Sequence, residues 1–233
     1  MSNSHLHDTS VLIYSCDKYA DVWGPFFTLL FRYWECPYQV YVVAEREQCL
    51  IPEVKTINVE EGEWTDMVKS AVDQIDTEYV IGMCEDFFMR RPVRQNVIDD
   101  CIGQMNTSPN IACFNFEKEN DWVLKSDYAG FGRKPDNGAY RLSCQPTLWR
   151  REILSELLSN HMSAWEWELS SGSAPNKYEY YIWTGPEDEL VFEYGYHNNQ
   201  WVGLQKGKWV ARDVVPLFEK EGISIDYSIR GFA

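Results

Sequence analysis

Two periodicities alternate along this chain. Residues 11–15, 39–44 (QVYVVA), 55–59, 78–83 (EYVIGM) and 111–116 (IACFNF) are short apolar runs rich in Val, Ile and Tyr. Runs of that length read as strands, and the near-continuous ones as strands covered on both faces. Between them, apolar residues recur at helical spacing. Val22, Phe26, Phe27, Leu30, Phe31 and Trp34 predict a helix over 19–34, with Pro25 in its first turns or at its true start. Residues 64–75, 97–105, 148–158 and 209–221 read as further helices. The opening order of strand, helix, strand, strand, helix, strand is that of a doubly wound α/β domain. Residues 121–140 read as irregular, 141–146 as a short strand and 163–177 as a polar loop. Residues 190–196 and 201–204 read as short strands of a small C-terminal part, and 223–233 as a tail. With no repeat and no linker, one domain over 1–233 is expected, behind a flexible leader at 1–10.

The length of 233 residues suits one α/β domain with a sizeable core. Against 36 Asp and Glu there are 21 Lys and Arg, a net charge of −15. That field disfavours nucleic acid and anionic membrane surfaces as partners. A nucleotide remains compatible where a divalent cation or a local basic cluster offsets its phosphates. The 7 cysteines form no C-x-x-C pair, so they read as reduced thiols of a cytoplasmic protein and not as a zinc site. The polar first ten residues do not read as a signal peptide, and no apolar run reaches the length of a membrane span. The location expected is the cytoplasm, including peripheral attachment at the inner face of the membrane. The aromatic content of 15%, with 10 Trp and 14 Tyr, suits either sugar or base stacking or an aromatic-rich core.

Candidate chemistry falls in a few places. Glu85 and Asp86 follow the 78–83 strand, where open α/β sheets bind ligands. Two acids in the apolar frame MCEDFFMRRPV call for a compensating cation, and Mg2+ or Mn2+ takes carboxylate and phosphate oxygens together; a solvated loop is the plain alternative. Asp17, after the first strand, is either a ligand contact on the same edge or a helix N-cap. In AWEWE, Trp165 and Trp167 flank Glu166 and Glu168. Apolar walls raise a carboxylate's pKa as a general base requires. In an extended segment the two acids share a face; at a helix start they diverge. His197 suits a cation ligand or an exposed loop position. Lys206 and Lys208 form a basic stretch suited to a diphosphate, or to a solvated turn. A P-loop and a G-x-S-x-G nucleophile elbow are both missing.

With these motifs in view, the chain resembles GT-A-type glycosyltransferases, in particular the small bacterial enzymes of surface-polysaccharide assembly. The resemblance runs from about residue 11 to 230 and is carried by VLIYSCDKYADVWGPFF, MCEDFFMRRPV, RLSCQPTLWRREIL with AWEWE, and QKGKW. It implies a GT-A-like fold: a mixed, mostly parallel central sheet flanked by helices, with a small antiparallel C-terminal part. It also implies a nucleotide-sugar donor and a carbohydrate or lipid-linked acceptor. By the resemblance, Asp17 contacts the nucleoside and Glu85–Asp86 stands for the acidic motif that holds the metal and donor phosphates. Residues 130–138 match the flexible loop, Glu166 or Glu168 the base, and His197 the metal shell. The Cys-Glu-Asp-Phe sequence departs from Asp-x-Asp, so Lys206 and Lys208 stand as substitutes for Mn2+ or Mg2+. Two alternatives stay open: a nucleotidyltransferase making a nucleotide-sugar, whose usual Gly- and Lys/Arg-rich loop YSCDKYADVWG lacks, and a non-catalytic carbohydrate-binding protein.

Overall fold

A computed structural model of the chain describes residues 8–119, 121–159, 161–195 and 203–233. Eight strands form one sheet: β1 (Thr9–Tyr14), β2 (Gln39–Ala44), β3 (Val54–Asn58), β4 (Tyr79–Cys84), β5 (Ile111–Lys118), β6 (Phe131–Arg133), β7 (Thr147–Arg150) and β8 (Glu179–Trp183). Their spatial order is β3-β2-β1-β4-β7-β5-β8-β6. The first four are parallel, β7 lies antiparallel between β4 and β5, β8 is parallel to β5, and β6 is antiparallel to β8. A separate antiparallel hairpin joins β9 (Leu204–Gln205) to β10 (Lys208–Trp209). The fold is thus a mostly parallel α/β sheet with a small antiparallel C-terminal part.

Both faces of the sheet are covered, which is why β1 is apolar at every position from Val11 to Tyr14. Val11 and Ile13 join the core under α1 (Ala20–Tyr33), α3 (Gln95–Thr107) and α6 (Ala211–Glu221). Leu12 and Tyr14 join the core under α2 (Trp64–Val72), α4 (Arg151–Leu157) and α5 (Ala164–Leu169). Gly82 in β4 leaves room for the Tyr14 ring. A Cβ there would stand 1.8 Å from the Tyr14 hydroxyl oxygen, far inside any tolerable contact.

Several boundaries differ from the sequence reading. The segment read as one helix over 148–158 is a strand followed by a helix. Leu148 and Trp149 are fully buried on opposite faces of the sheet, and four residues are too few to separate a period of 2 from one of 3.6. The strand read at 141–146 is irregular; the pairing begins one step later, at Thr147, opposite Gly82 and Asn115. Trp209 belongs to the hairpin, and α6 starts at Ala211. Of the run read as a strand at 190–196, residues 190–195 are not a strand; 196, 201 and 202 lie outside the described residues. The tail packs back, with Phe232 bridged to Trp209.

Candidate functional site

The carboxyl ends of β1, β4 and β5 open on one edge of the sheet. Cys84 ends β4 opposite Tyr14 of β1, so the next residues, Glu85 and Asp86, come out beside residues 15–17. Glu85 is 7% exposed. Neither acid has an ion-pair partner among the described residues. Burial and the neighbouring Asp86 push the Glu85 carboxyl well up, with Arg230 pulling weakly the other way. Burial pushes Asp86 up to about 7.

The AWEWE segment reaches the same edge from the other side. Ser163 caps α5, accepting from the Glu166 N–H, while the Glu166 carboxylate accepts from the Ser163 N–H at 2.9 Å and its hydroxyl at 2.7 Å. This is a capping box, and the S-x-x-E spacing was its signal in the sequence. It starts a helix inside the stretch read as a loop, and the helix separates the two acids. Glu166 is exposed, and its bonds from Ser163 hold its carboxyl below the ordinary range. Its carboxylate is engaged by the cap. Glu168, two residues on, turns inward and accepts from the Cys144 N–H at 2.7 Å. Burial raises its pKa against that hydrogen bond. The Cys84 thiol in turn lies 3.8 Å from the Cys144 carbonyl, so a single short bridge of contacts connects the β4 acids to Glu168. Of the two tryptophans, Trp167 is buried and donates to the Leu157 carbonyl at 2.9 Å, whereas Trp165 is 57% exposed.

Two residues unnoticed in the sequence join this edge. Glu117, at the end of β5, is pushed up to about 7 by burial and by the charge of Glu168. Lys134 is buried near it, 3.9 Å from Glu119. Their types carry no spacing signal; only the pairing of β5 with β7 and β8 collects them. Arg230, in the stretch read as a tail, is a third. Its guanidinium lies 4.6 Å from the Tyr19 ring centre and donates to Asp21 at 2.8 Å and to the Gly207 carbonyl at 3.1 Å.

The remaining sequence candidates divide. Asp17 is on the right edge, but its carboxylate accepts from the N–H groups of Glu45, Arg46 and Glu47 at 3.0–3.1 Å. Desolvation opposes these donors, and they still hold its carboxyl below the ordinary range. It is not an N-cap, a place Cys16 occupies before the 3-10 turn Asp17–Tyr19. It ties the end of β1 to the end of β2. Lys206 and Lys208 are exposed on the β9–β10 turn, where Lys206 (φ 51°) and Gly207 (φ 76°) adopt the left-handed pair of a tight hairpin. Arg230 tethers that turn beside Tyr19, and Gly203, leading into β9, packs on the backbone of Asp86: a Cβ there would stand 2.2 Å from its carbonyl oxygen. His197 lies outside the described residues. Among those described, no three His, Cys, Asp or Glu are grouped to hold a metal ion by themselves.

The site therefore combines acids whose pKa values burial raises with basic side chains nearby, at the strand-end edge of a mostly parallel α/β sheet. No protein-family model matches the chain, and no curated protein matches it. Among solved structures it is similar to the bifunctional IspDF from Campylobacter jejuni, at 14% identity over 78% of this chain and 50% of that one, TM-score 0.47. It is similar to S. aureus TarS 1-349 at 15% identity over 78% and 61%, TM-score 0.45. It is also similar to the mannosyltransferase PcManGT from Pyrobaculum calidifontis, in complex with GDP-Man and Mn2+, at 13% identity over 82% and 59%, TM-score 0.48. The chain spans 50% to 61% of the length of these three. The likeness is one of fold alone.

Proposed function

We propose that this chain is a glycosyltransferase that moves a sugar from a nucleotide-sugar donor to a carbohydrate or lipid-linked acceptor in polysaccharide or glycoconjugate assembly. The observation that supports it best is the bridge Glu85/Asp86–Cys84–Cys144–Glu168, which brings two adjacent acids and a half-buried carboxylate to one edge. In this reading Glu168 takes the proton from an acceptor hydroxyl, and the oxygen so freed attacks the anomeric carbon. Burial raises its pKa, the direction that strengthens a carboxylate as a base. Glu85 and Asp86 would hold Mn2+ or Mg2+. Two adjacent acids pushed up by burial and, at Glu85, by the Asp86 charge fit that role, because Mg2+-type sites take one or two protein carboxylates and complete their shell with phosphate and water. When bound, the cation neutralises charge on the departing nucleoside diphosphate. Lys206, Lys208 and Arg230 supply a basic rim for the same phosphates. The exposed Trp165 offers a flat face to a sugar ring.

The test is product analysis with a panel of nucleotide sugars, manganese and simple glycoside acceptors. Release of free nucleoside diphosphate with formation of a new glycoside supports the reading. Pyrophosphate as the product, from a sugar phosphate and a nucleoside triphosphate, would replace it with nucleotidyl transfer.

A further inference from the structure

One cavity is lined by none of the strand-end acids. It occupies about 630 Å³ between the first turns of α3, the face of β5 and β8, and the segment 127–131; neither Glu85, Asp86 nor Glu168 lines it. That volume is in the range of small-molecule sites. Its inner wall is Trp183, 4% exposed. Gly130 and Gly185 clasp this indole so closely that a Cβ on either would stand 2.5 Å or 2.2 Å from a ring atom. The Trp183 indole N–H is buried and has no acceptor among the described residues. Leaving such a donor unpaired is costly. Tyr128 and Phe131 add apolar faces.

The charges in the lining decide what would fit. Among the described residues that line it the one cation is Arg94, its guanidinium 5.8 Å from the centre of the Trp183 ring, and the acids are Asp100, Asp127 and Glu189. Arg94 is already engaged, donating to the Glu189 carbonyl at 2.6 Å and its carboxylate at 3.2 Å. A phosphate or carboxylate ligand would meet net negative charge. Asp100 and Asp127 are exposed at the mouth and act only as acceptors when ionised. The complementary ligand is uncharged and carries several hydroxyl donors, an oxygen acceptor for the indole N–H, and an apolar C–H face. A pyranose has all three. We infer that this cavity is a saccharide-binding site, separate from the strand-end acids and independent of the reaction assigned to them.

Saturation-transfer NMR on the full chain with methyl glycosides of glucose, galactose, mannose and N-acetylglucosamine, without nucleotide or metal, tests this directly. One or more should bind, and Trp183→Phe and Asp100→Asn should each weaken that binding about tenfold, the loss of one good hydrogen bond. Asp100 is exposed on α3, so if Trp183→Phe fails to fold, Asp100→Asn decides alone. The inference is overturned if no glycoside binds, or if Asp100→Asn binds as tightly as wild type.

Discussion

Replacing Glu168 by glutamine separates its chemical from its structural role. The Gln Oε1 can still accept from the Cys144 N–H, a bond of 2.7 Å in the wild type. What is lost in stability is the difference between a charged and a neutral hydrogen bond, about 1 kcal/mol. That loss is offset by removing a carboxylate that burial disfavours and that repels Glu117. The net change stays within about 1 kcal/mol, or roughly 2–4 °C in melting temperature for a chain of this size. Loss of a general base instead lowers turnover by about 10²–10⁴, equal to about 2.7–5.5 kcal/mol of barrier. Steady-state release of nucleoside diphosphate, with donor affinity measured alongside, reads both: turnover should collapse while donor binding and melting temperature hold. Glu166→Ala is the internal control. It removes the carboxylate that accepts from the Ser163 N–H and hydroxyl in the capping box and should lower the melting temperature only slightly while turnover stays at the wild-type level. Glu168→Gln with full turnover would refute the assignment. So would Glu166→Ala with the larger catalytic loss.

Three further outcomes follow from the packing and the titrating groups. Gly82→Ala drives a methyl into the Tyr14 ring, 1.8 Å from its hydroxyl oxygen, and should lower the denaturant midpoint by the equivalent of about 1–3 kcal/mol or abolish folding; an unchanged midpoint would contradict the packing of β1 on β4. Tyr14→Phe removes a buried hydroxyl with no partner among the described residues, so the midpoint should hold or rise, and a fall above about 1 kcal/mol would reveal a hydrogen bond. Asp86 and Glu117 both have carboxyls pushed up to about 7, so the folded chain holds protons that the unfolded chain has already released above pH about 4. Ionisation therefore favours unfolding: stability should decline from pH about 4 to about 7 and level off above, and pH-dependent melting that rises across this window would be inconsistent with the burial of these acids.

The fold was legible where strands are buried on both faces. The runs 11–15, 39–44 and 78–83 match β1, β2 and β4 to within a residue or two at each end, and the acids after β4 could be placed on the carboxyl-end edge of the sheet from topology alone. Legibility failed where strands are short and flanked by helix-compatible residues. In TLWR the apolar pair fits either period, and only pairing with β4 and β5 on both sides makes it a strand. The AWEWE acids were visible as a pair, and the Ser163 capping box could have told them apart. The roles of Asp17, Glu117, Lys134 and Arg230 could not be read, because each depends on a partner at least 14 residues away or on a neighbouring strand: Asp17 on the 45–47 backbone, Arg230 on Tyr19 and Asp21. Of the two uses open to the aromatic surplus, most of the described tryptophans serve the core, Trp149, Trp167 and Trp209 among them.

The central claim is that the Glu85–Asp86 edge receives the diphosphate of a nucleotide together with a divalent cation. Isothermal titration calorimetry of nucleoside diphosphates in the presence of manganese measures it. Wild type should bind one of them, and Glu85→Gln/Asp86→Asn should bind it at least tenfold more weakly with manganese while losing the manganese dependence. Equal, manganese-dependent affinity in the wild type and the double variant would contradict it.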